Sequence, residues 1–426
     1  MQIKRDYSQP FFSSRRRSRV TGRFLFFYGL LIGGFLVFVS AQFGKLQLVA
    51  LDAIGLAPTA TAFASTWASQ GYDLFLQGKM EEAATAYAHA VGQEPDNINY
   101  IYEYGRTLIE LDRTANVAQN RPKSDSQMAS ELGDHAIEVA PQDVRSYTLK
   151  AKSLVWLDDS QSAIPFALKG YEINANFAPL LAVLARAYTD IGRYQQGLDY
   201  GAAAVDADPK NVDAHRGYAI ALILVGQRDE AIKELEDAIN INPNLAAPYF
   251  ELAGQYKGAN RLEDAIAAYE KVLTLQPRNA KALLRLCETY TQVGQNEQAE
   301  GFCDDALSID ATYSDAYKSR GGVRFRRRNY EGAIEDFKAC QKNDSTAIEC
   351  IYQQGLAYYY IGGTTNCDSA WSLLKQAQET VPPPEPQIQT IIQTGLKLVT
   401  ENCVSYNNQA VPTIQPTAVV PTPIGG

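Results

Sequence analysis

Histidine is scarce in this chain, and so is every pattern that builds a reaction centre. Its 426 residues include three histidines, His89, His135 and His215, well separated in sequence. None of the six cysteines forms a CxxC pair. Zinc and thioredoxin-like sites need close cysteine pairs or neighbouring histidines, so both are disfavoured. No GxxxxGK[ST] loop, HExxH or GxSxG occurs, which leaves no phosphate-cradling loop, zinc-protease helix or nucleophile elbow. Acidic pairs such as Glu81-Glu82 and Asp304-Asp305 read as solvated charge on a helix face. The chain is expected not to be an enzyme and to carry neither metal nor cofactor.

Charge is missing from one long stretch. Phe24 to Gly44, FLFFYGLLIGGFLVFVSAQFG, is a run of 21 residues without a charged side chain, bounded by Arg23 and Lys45. A helix of that length spans roughly 30 Å of hydrocarbon. Ahead of it stand Lys4, Arg5, Arg15, Arg16, Arg17, Arg19 and Arg23 against a single Asp6. The positive-inside rule then makes 1–23 a basic cytoplasmic tail and 24–44 a transmembrane helix. The chain beyond Lys45 becomes extracytoplasmic, beginning with a juxtamembrane linker at 45–63. Val39-Ser40-Ala41 offers the small residues that signal peptidase prefers, so a cleaved, secreted form is the alternative. Gly29 and Gly33 form a GxxxG that can bring two such helices together, which would give a homodimer through this segment. The segment 404–426 also lacks charge, is rich in Pro and Thr, and reads as a disordered tail.

Positive charge is short everywhere else. The chain carries −9 overall; residues 1–23 hold seven basic and one acidic side chain, or +6, so the remaining 403 carry −15. A nucleic-acid partner needs a basic surface and is therefore not expected. The basic tail suits the anionic lipid of a cytoplasmic leaflet.

What is present is a period of 34 residues. In Ala246 to Asn279, counted from 1, Tyr249 is at position 4, Leu252 at 7, Ala253 at 8, Tyr256 at 11, Ala265 at 20, Tyr269 at 24 and Pro277 at 32. One period back, Gly226, Ala231 and Pro243 fill positions 15, 20 and 32, and another period back Tyr188, Gly192 and Pro209 fill 11, 15 and 32. Forward, Tyr290 and Ala299, then Ala333 and Phe337, keep the register. Units also start at Ala64, Ile98, Val144 and Ile348, giving nine, with a capping helix at Gln387 to Asn402. Two units are interrupted: TANVAQNRPKSDSQ separates the helices of the second, and the loop GGTTNCDS lengthens the last. Small residues at 8 and 20 let two helices approach, while bulky ones at 4, 7, 11 and 24 fill the space beside them. A helix pair of this length cannot bury its apolar face alone, so such units stack.

The pattern resembles the tetratricopeptide repeat family. That resemblance implies an all-α, right-handed solenoid over 64–403, preceded by the transmembrane helix. It also implies a concave groove, lined by the first helix of each pair at positions 2, 5, 9, 12 and 13, that receives a protein or extended peptide. Carried over, those positions include Tyr102, Arg106, Lys152, Trp156, Arg186, Arg216, Phe250, Lys257 and Lys318. Cations and aromatics together suit a ligand with acidic and apolar side chains. Arg186 and Arg216 have a plainer alternative, pairing with neighbouring Asp190 and Asp213. The family's carboxylate clamp, Lys at 5 with Asn at 9, is missing, because the Lys318 repeat has Gly322 at position 9.

An even set of cysteines in an extracytoplasmic segment points to disulfides. Cys287 and Cys303 occupy positions 8 and 24 of one repeat, on facing helices. Cys340 ends one repeat and Cys350 starts the next, while Cys367 and Cys403 fall at the same end of two antiparallel helices. Antiparallel geometry favours these three pairs; buried free thiols are the alternative. The expected function is non-catalytic: a membrane-anchored, extracytoplasmic scaffold for a protein or peptide. A subunit that positions an envelope enzyme or transporter is the alternative.

Overall fold

The computed structural model describes residues 63–114, 123–380 and 385–407, with Gln409 and Val411. The tail 1–23, the apolar run 24–44, nearly all of 45–63 and most of 404–426 lie outside the described residues. Among the described residues no helix is long and apolar enough to cross a membrane.

Nine helix pairs follow one another, and among the described residues there is no strand. They are α1 (Ala64–Leu76) with α2 (Met80–Gln93), α3 (Ile98–Thr114) with α4 (Asp125–Val139), and α5 (Val144–Trp156) with α6 (Ser160–Ile173). Next come α7 (Ala178–Asp190) with α8 (Tyr194–Ala207), α9 (Val212–Leu224) with α10 (Arg228–Ile241), and α11 (Ala246–Gly258) with α12 (Leu262–Leu275). The last three are α13 (Ala280–Val293) with α14 (Asn296–Ile309), α15 (Ser314–Arg326) with α16 (Tyr330–Asn343), and α17 (Ile348–Ile361) with α18 (Thr364–Gln378). A single helix, α19 (Pro386–Asn402), covers the last pair through Ile392, Leu396 and Val399.

Both turns of the repeat are written in short-range chemistry. Between the helices of a pair, position 15 takes a left-handed conformation, supplied by Gly78, Gly192, Gly226, Gly294 and Gly362, the residue that pays no Cβ penalty there. Between pairs, the side chains of Asn174, Asp208, Asn242, Asp310 and Asp344 each accept a hydrogen bond from the backbone N–H two residues on. That Asx turn stops one helix and aims the next. Asn211 and Asn279 then cap α9 and α13 by accepting from Ala214 and Ala282, satisfying donors that the helix itself cannot.

Small-against-large packing holds each pair together. A Cβ on Gly71 would sit 3.0 Å from the Tyr87 ring, and one on Gly321 would sit 2.6 Å from Phe337. These are positions 8 and 24. In the seventh repeat the same two positions hold Cys287 and Cys303, joined as a disulfide with Cα atoms 5.4 Å apart. Cys340 is bonded to Cys350 and Cys367 to Cys403, at Cα separations of 6.3 and 6.1 Å.

Three details differ from the sequence expectation. The interruption of the second repeat is partly helical: α3 runs on to Thr114, and α4 starts at Asp125 behind a Ser124/Gln127 capping box. Most of GGTTNCDS is helix as well, because Gly362 and Gly363, both at positive φ, complete the turn and α18 begins at Thr364. The first residues of the tail are also ordered: Val404–Tyr406 forms a 3-10 turn, with Tyr406 stacked on Trp371 at 5.0 Å and donating to Asp368 at 2.9 Å.

The stack also curls far enough to meet itself. Asn244, in the turn between α10 and α11, donates its amide to the Leu76 carbonyl at 3.0 Å, 168 residues away in sequence. A Cβ on Gly78 would lie 2.1 Å from the Asn244 carbonyl oxygen, so no other residue fits that contact without movement. Phe75, Met80 and Ala83 pack there with Leu245 and Val212. The inner face of the first five repeats is thereby closed over by the molecule's own atoms.

Candidate functional site

The inner face is built from the first helices of the pairs, and the nine residues expected to line it divide into two groups. Tyr102, Arg106, Lys152, Trp156, Arg186 and Arg216 belong to α3, α5, α7 and α9, inside the closed part. Phe250, Lys257 and Lys318 lie on α11 and α15, beyond it.

The open cationic stripe expected at Lys152, Arg186 and Arg216 is a correction to make. Lys152 and Arg216 are buried. The Arg216 guanidinium grips Glu251 with Nε and Nη2, both at 3.0 Å, and donates to Glu110 through Nη1 at 3.0 Å. Lys152 donates to Asp213 at 2.9 Å and lies 3.8 Å from Glu110. Asp213, the partner expected for Arg216 from sequence, is its longest contact at 3.7 Å. Two cations and three carboxylates from four helices thus pair with one another. The physical reason is the curl, which carries Glu110 of α3 to Arg216 across 106 residues.

Burial and charge act differently on the two carboxylates that share Arg216. Burial opposes ionisation of Glu110, but Arg216 and Lys152 outweigh it and hold the carboxyl below its usual range. For Glu251 burial prevails over Arg216, Glu110 adds repulsion, and the carboxyl is pushed up.

Of the remaining members in the closed part, Arg186, Trp156 and Arg106 are partly open and Tyr102 is buried. Arg186 pairs with Asp190 at 2.7 Å, the plainer of its two expected roles, and lies 5.2 Å over the Trp156 ring. Together with Val155, Pro179 and Ile220 they border a small cleft of about 30 Å³. Arg106 sits 4.2 Å over the Phe75 ring and pairs with Glu103 at 2.6 Å. The Tyr102 ring is buried at 6.4 Å from that of Phe177, and burial pushes its hydroxyl well above the usual phenol range. Farther along, Phe250 packs edge-on to Tyr269 at 5.5 Å, Lys257 pairs with Glu288 at 2.8 Å, and Lys318 pairs with Asp315 at 2.8 Å.

Sequence reasoning passed over Glu110 and Glu251, and the alternation of acidic with basic residues on the inner positions was the signal available. It also left His215 isolated. In the structure His215 is buried, with Nδ1 at 2.7 Å from Glu234 and Nε2 at 3.0 Å from the Pro209 carbonyl. Its ligand atoms, with those of Glu234 and Asp237, lie within 4.8 Å of one another. A carbonyl only accepts, and an ionised carboxylate only accepts, so both ring nitrogens carry protons and neither offers a lone pair to a metal. The bond to Glu234, aided by Pro209, outweighs burial and raises the His215 pKa. A raised histidine value gives stability that is complete below the ordinary value of about 6.5 and lost as pH rises through the folded value. The urea midpoint should therefore fall above pH 6.5, with a slope of at most about 1.4 kcal/mol per pH unit for this one proton. His215→Phe should remove that part of the slope; an unchanged profile would show that the imidazolium contributes nothing.

Comparison with known proteins bears on the architecture. Residues 192–256 and 257–320 match the tetratricopeptide repeat family model. The Hsp70-Hsp90 organizing protein of Triticum aestivum is 22% identical over 236 residues, covering 54% of this chain and 40% of that protein. The TPR repeat-containing protein YpiA of Bacillus subtilis is 21% identical over 152 residues, 36% of each chain. The chain thus spans less than half the length of these curated relatives. Among solved structures, a chain of the APC/C hetero-tetramer Cut9-Hcn1 superposes with a TM-score of 0.52 at 13% identity, over 79% of this chain and 76% of that one. At such identity the likeness is one of fold. The tetratricopeptide repeat family model is thus matched over 192–320, and helix pairs of the same kind run from Ala64 to Gln378.

Proposed function

We propose that the protein is a non-catalytic, membrane-anchored extracytoplasmic scaffold that binds a protein or extended peptide on its inner face, over α11 to α15. The observation that carries this reading is the contrast between the two parts of that face. In the closed part Lys152 and Arg216 are buried and fully engaged. On α11 and α15, Lys257 and Lys318 stay within reach of solvent, and their partners Glu288 and Asp315 are themselves partly exposed. Ion pairs of that kind are worth about 0–1 kcal/mol, so a ligand carboxylate can replace the resident one at little cost. Phe250, half-buried on the same helix as Lys257, adds an apolar contact.

The name of the Triticum aestivum relative concerns Hsp70-Hsp90 organisation in that protein. Here the missing Lys-and-Asn clamp, with Gly322 at position 9, gives no reason to propose chaperone C-termini as ligand. Three disulfides suit an oxidising compartment, and seven basic residues before the 24–44 run favour a cytoplasmic N-terminus. Both support the extracytoplasmic reading.

A photo-crosslinking residue placed at Phe250 in the full chain, in intact cells, should give a discrete adduct that Lys257→Glu with Lys318→Glu diminishes several-fold. Protease added outside should destroy both adduct and repeats. An equal adduct from Glu263 on the outer helix α12 would overturn the groove assignment, and protection of the repeats would reverse the topology.

A further inference from the structure

A second surface stands apart from that groove, at the turn between α15 and α16. Five arginines fall in this short stretch of chain: Arg320, Arg324, Arg326, Arg327 and Arg328. Three are neutralised internally. Arg320 pairs with Asp304 and Asp336, both at 2.6 Å, and Arg324 pairs with Glu300 at 2.9 Å and Asp336 at 3.0 Å. Arg327 also reaches Glu300. The other two, Arg326 and Arg328, are exposed and have no carboxylate partner among the described residues.

Arg328 is unusual in its backbone as well. It sits at position 15 with φ of 62°, where five other repeats use glycine. The two remaining exceptions among the described turns are Asp158 and Asn260, residue types that tolerate this region because a short polar side chain bonds locally. Arginine has no such compensation, and strain of this sort points toward function rather than away from it.

Aromatic residues neighbour the two free arginines in sequence. Tyr330, two residues after Arg328, stacks on Tyr360 at 5.5 Å and 15°, and Phe325, one residue before Arg326, meets both rings edge-on at 5.3 and 5.5 Å. Tyr359 adds an edge contact to Tyr360 at 5.3 Å. Tyr360 is 49% exposed, among the most exposed large side chains of the described residues. Phe325 and Tyr330 thus tie this aromatic cluster to the turn that carries two exposed arginines, in a chain whose residues 24–426 carry −15.

We infer that this edge binds an extended acidic segment of another protein that carries an aromatic side chain. Arg326 and Arg328 would receive carboxylates in the bidentate geometry that guanidinium favours. The open face of Tyr360 would receive the ring, an arrangement worth more than its area alone. Two unpaired cations beside aromatics match such a segment better than a lipid surface, which rewards a larger cluster of basic residues.

The test uses the full chain in detergent micelles and a short fluorescein-labelled peptide of mixed glutamate and tyrosine. Wild type should bind it with an affinity that falls as salt rises, and Arg326→Glu with Arg328→Glu should weaken binding at least about tenfold. Lys257→Glu should leave it unchanged, which keeps this site separate from the groove reading. Arg328→Gly offers a second variant that cannot fail through misfolding: it should weaken binding while raising thermal stability, because the strain is relieved. Equal binding by wild type and the double variant overturns the proposal. So does a charge-dependent preference for phosphatidylglycerol vesicles over phosphatidylcholine vesicles that the double variant loses while peptide binding is unaffected, since the edge would then serve a membrane.

Discussion

Replacing Arg216 by methionine is expected to destabilise the first six repeats by about 3–5 kcal/mol, the range for removing one partner of a buried ion pair. The cost would come from what is left behind. Glu110 and Glu251 are both within 3.0 Å of the guanidinium, and without it two carboxylates face each other away from water. Lys152, at 3.8 Å, and Arg106 remain as cations that act on Glu110. Lost packing is the smaller part, because methionine keeps much of the arginine stem's volume. A second pair of variants separates this account from a generic core defect. Glu110 is held ionised by its surroundings, whereas Glu251 is pushed toward its neutral form. Glu110→Gln should therefore be clearly destabilising and Glu251→Gln close to neutral, although both side chains touch the same arginine. In the Arg216→Met background the order should invert: Glu110→Gln should now restore stability, since it removes a buried charge that has lost its 3.0 Å partner. Hydrogen exchange along α3, α9 and α11 reads the effect locally, which matters because long repeat arrays need not unfold in one step. A uniform loss in both glutamine variants, with no rescue, would mean that shape rather than charge closes this face.

How far the sequence could be read follows from the range of each interaction. Every first helix begins at the residue the 34-residue register gives, from Ala64 through Ile348. The signals that set those starts, position-15 glycine, position-31 Asx turns and the caps at Asn211 and Asn279, all act within a few residues. The capping helix was legible too, because Ile392, Leu396 and Val399 repeat at helical spacing and the last pair needs a cover. The closure between Leu76 and Asn244 was not. A repeat motif fixes how one pair sits on the next, but contact between the first and fifth repeats depends on small rotations summed over the stack. Lys152 and Arg216 therefore read as open groove cations when a shared partner, Glu110, lay at an inner position of a distant repeat and Glu251 beside Arg216 in the next one. The same summation hid the meaning of Gly78, which looked like one more position-15 glycine and also makes room for the Asn244 carbonyl.

Reduction of the disulfides should have a comparable effect at the other end of the domain. The three bonds close loops of 16, 10 and 36 residues, for which chain entropy gives roughly 2.5–4 kcal/mol each. They also replace packing that other repeats obtain from side chains. Repeats one and eight fill positions 8 and 24 with a glycine against a ring, whereas repeat seven has only Cys287 and Cys303 there, both fully buried. Replacing that pair by serines would bury two hydroxyl groups in a tight apolar site and should cost more than the entropy alone. Alanine at 287 with phenylalanine at 303 restores the family's own solution and should recover most of the loss. Cys367–Cys403 has a different task. It ties the end of α19 to the first turn of α18, beside Leu374, Leu396 and Val399. Cys367→Ser with Cys403→Ser should let α19 open, raising hydrogen exchange from 386 to 402 and exposing an apolar end face that promotes association. Selective protection of that helix in the double serine variant would show that packing alone retains the cap. Six alkylatable thiols in the native, unreduced protein would remove the basis of all three expectations, and with it the support that the cysteines lend to an extracytoplasmic location.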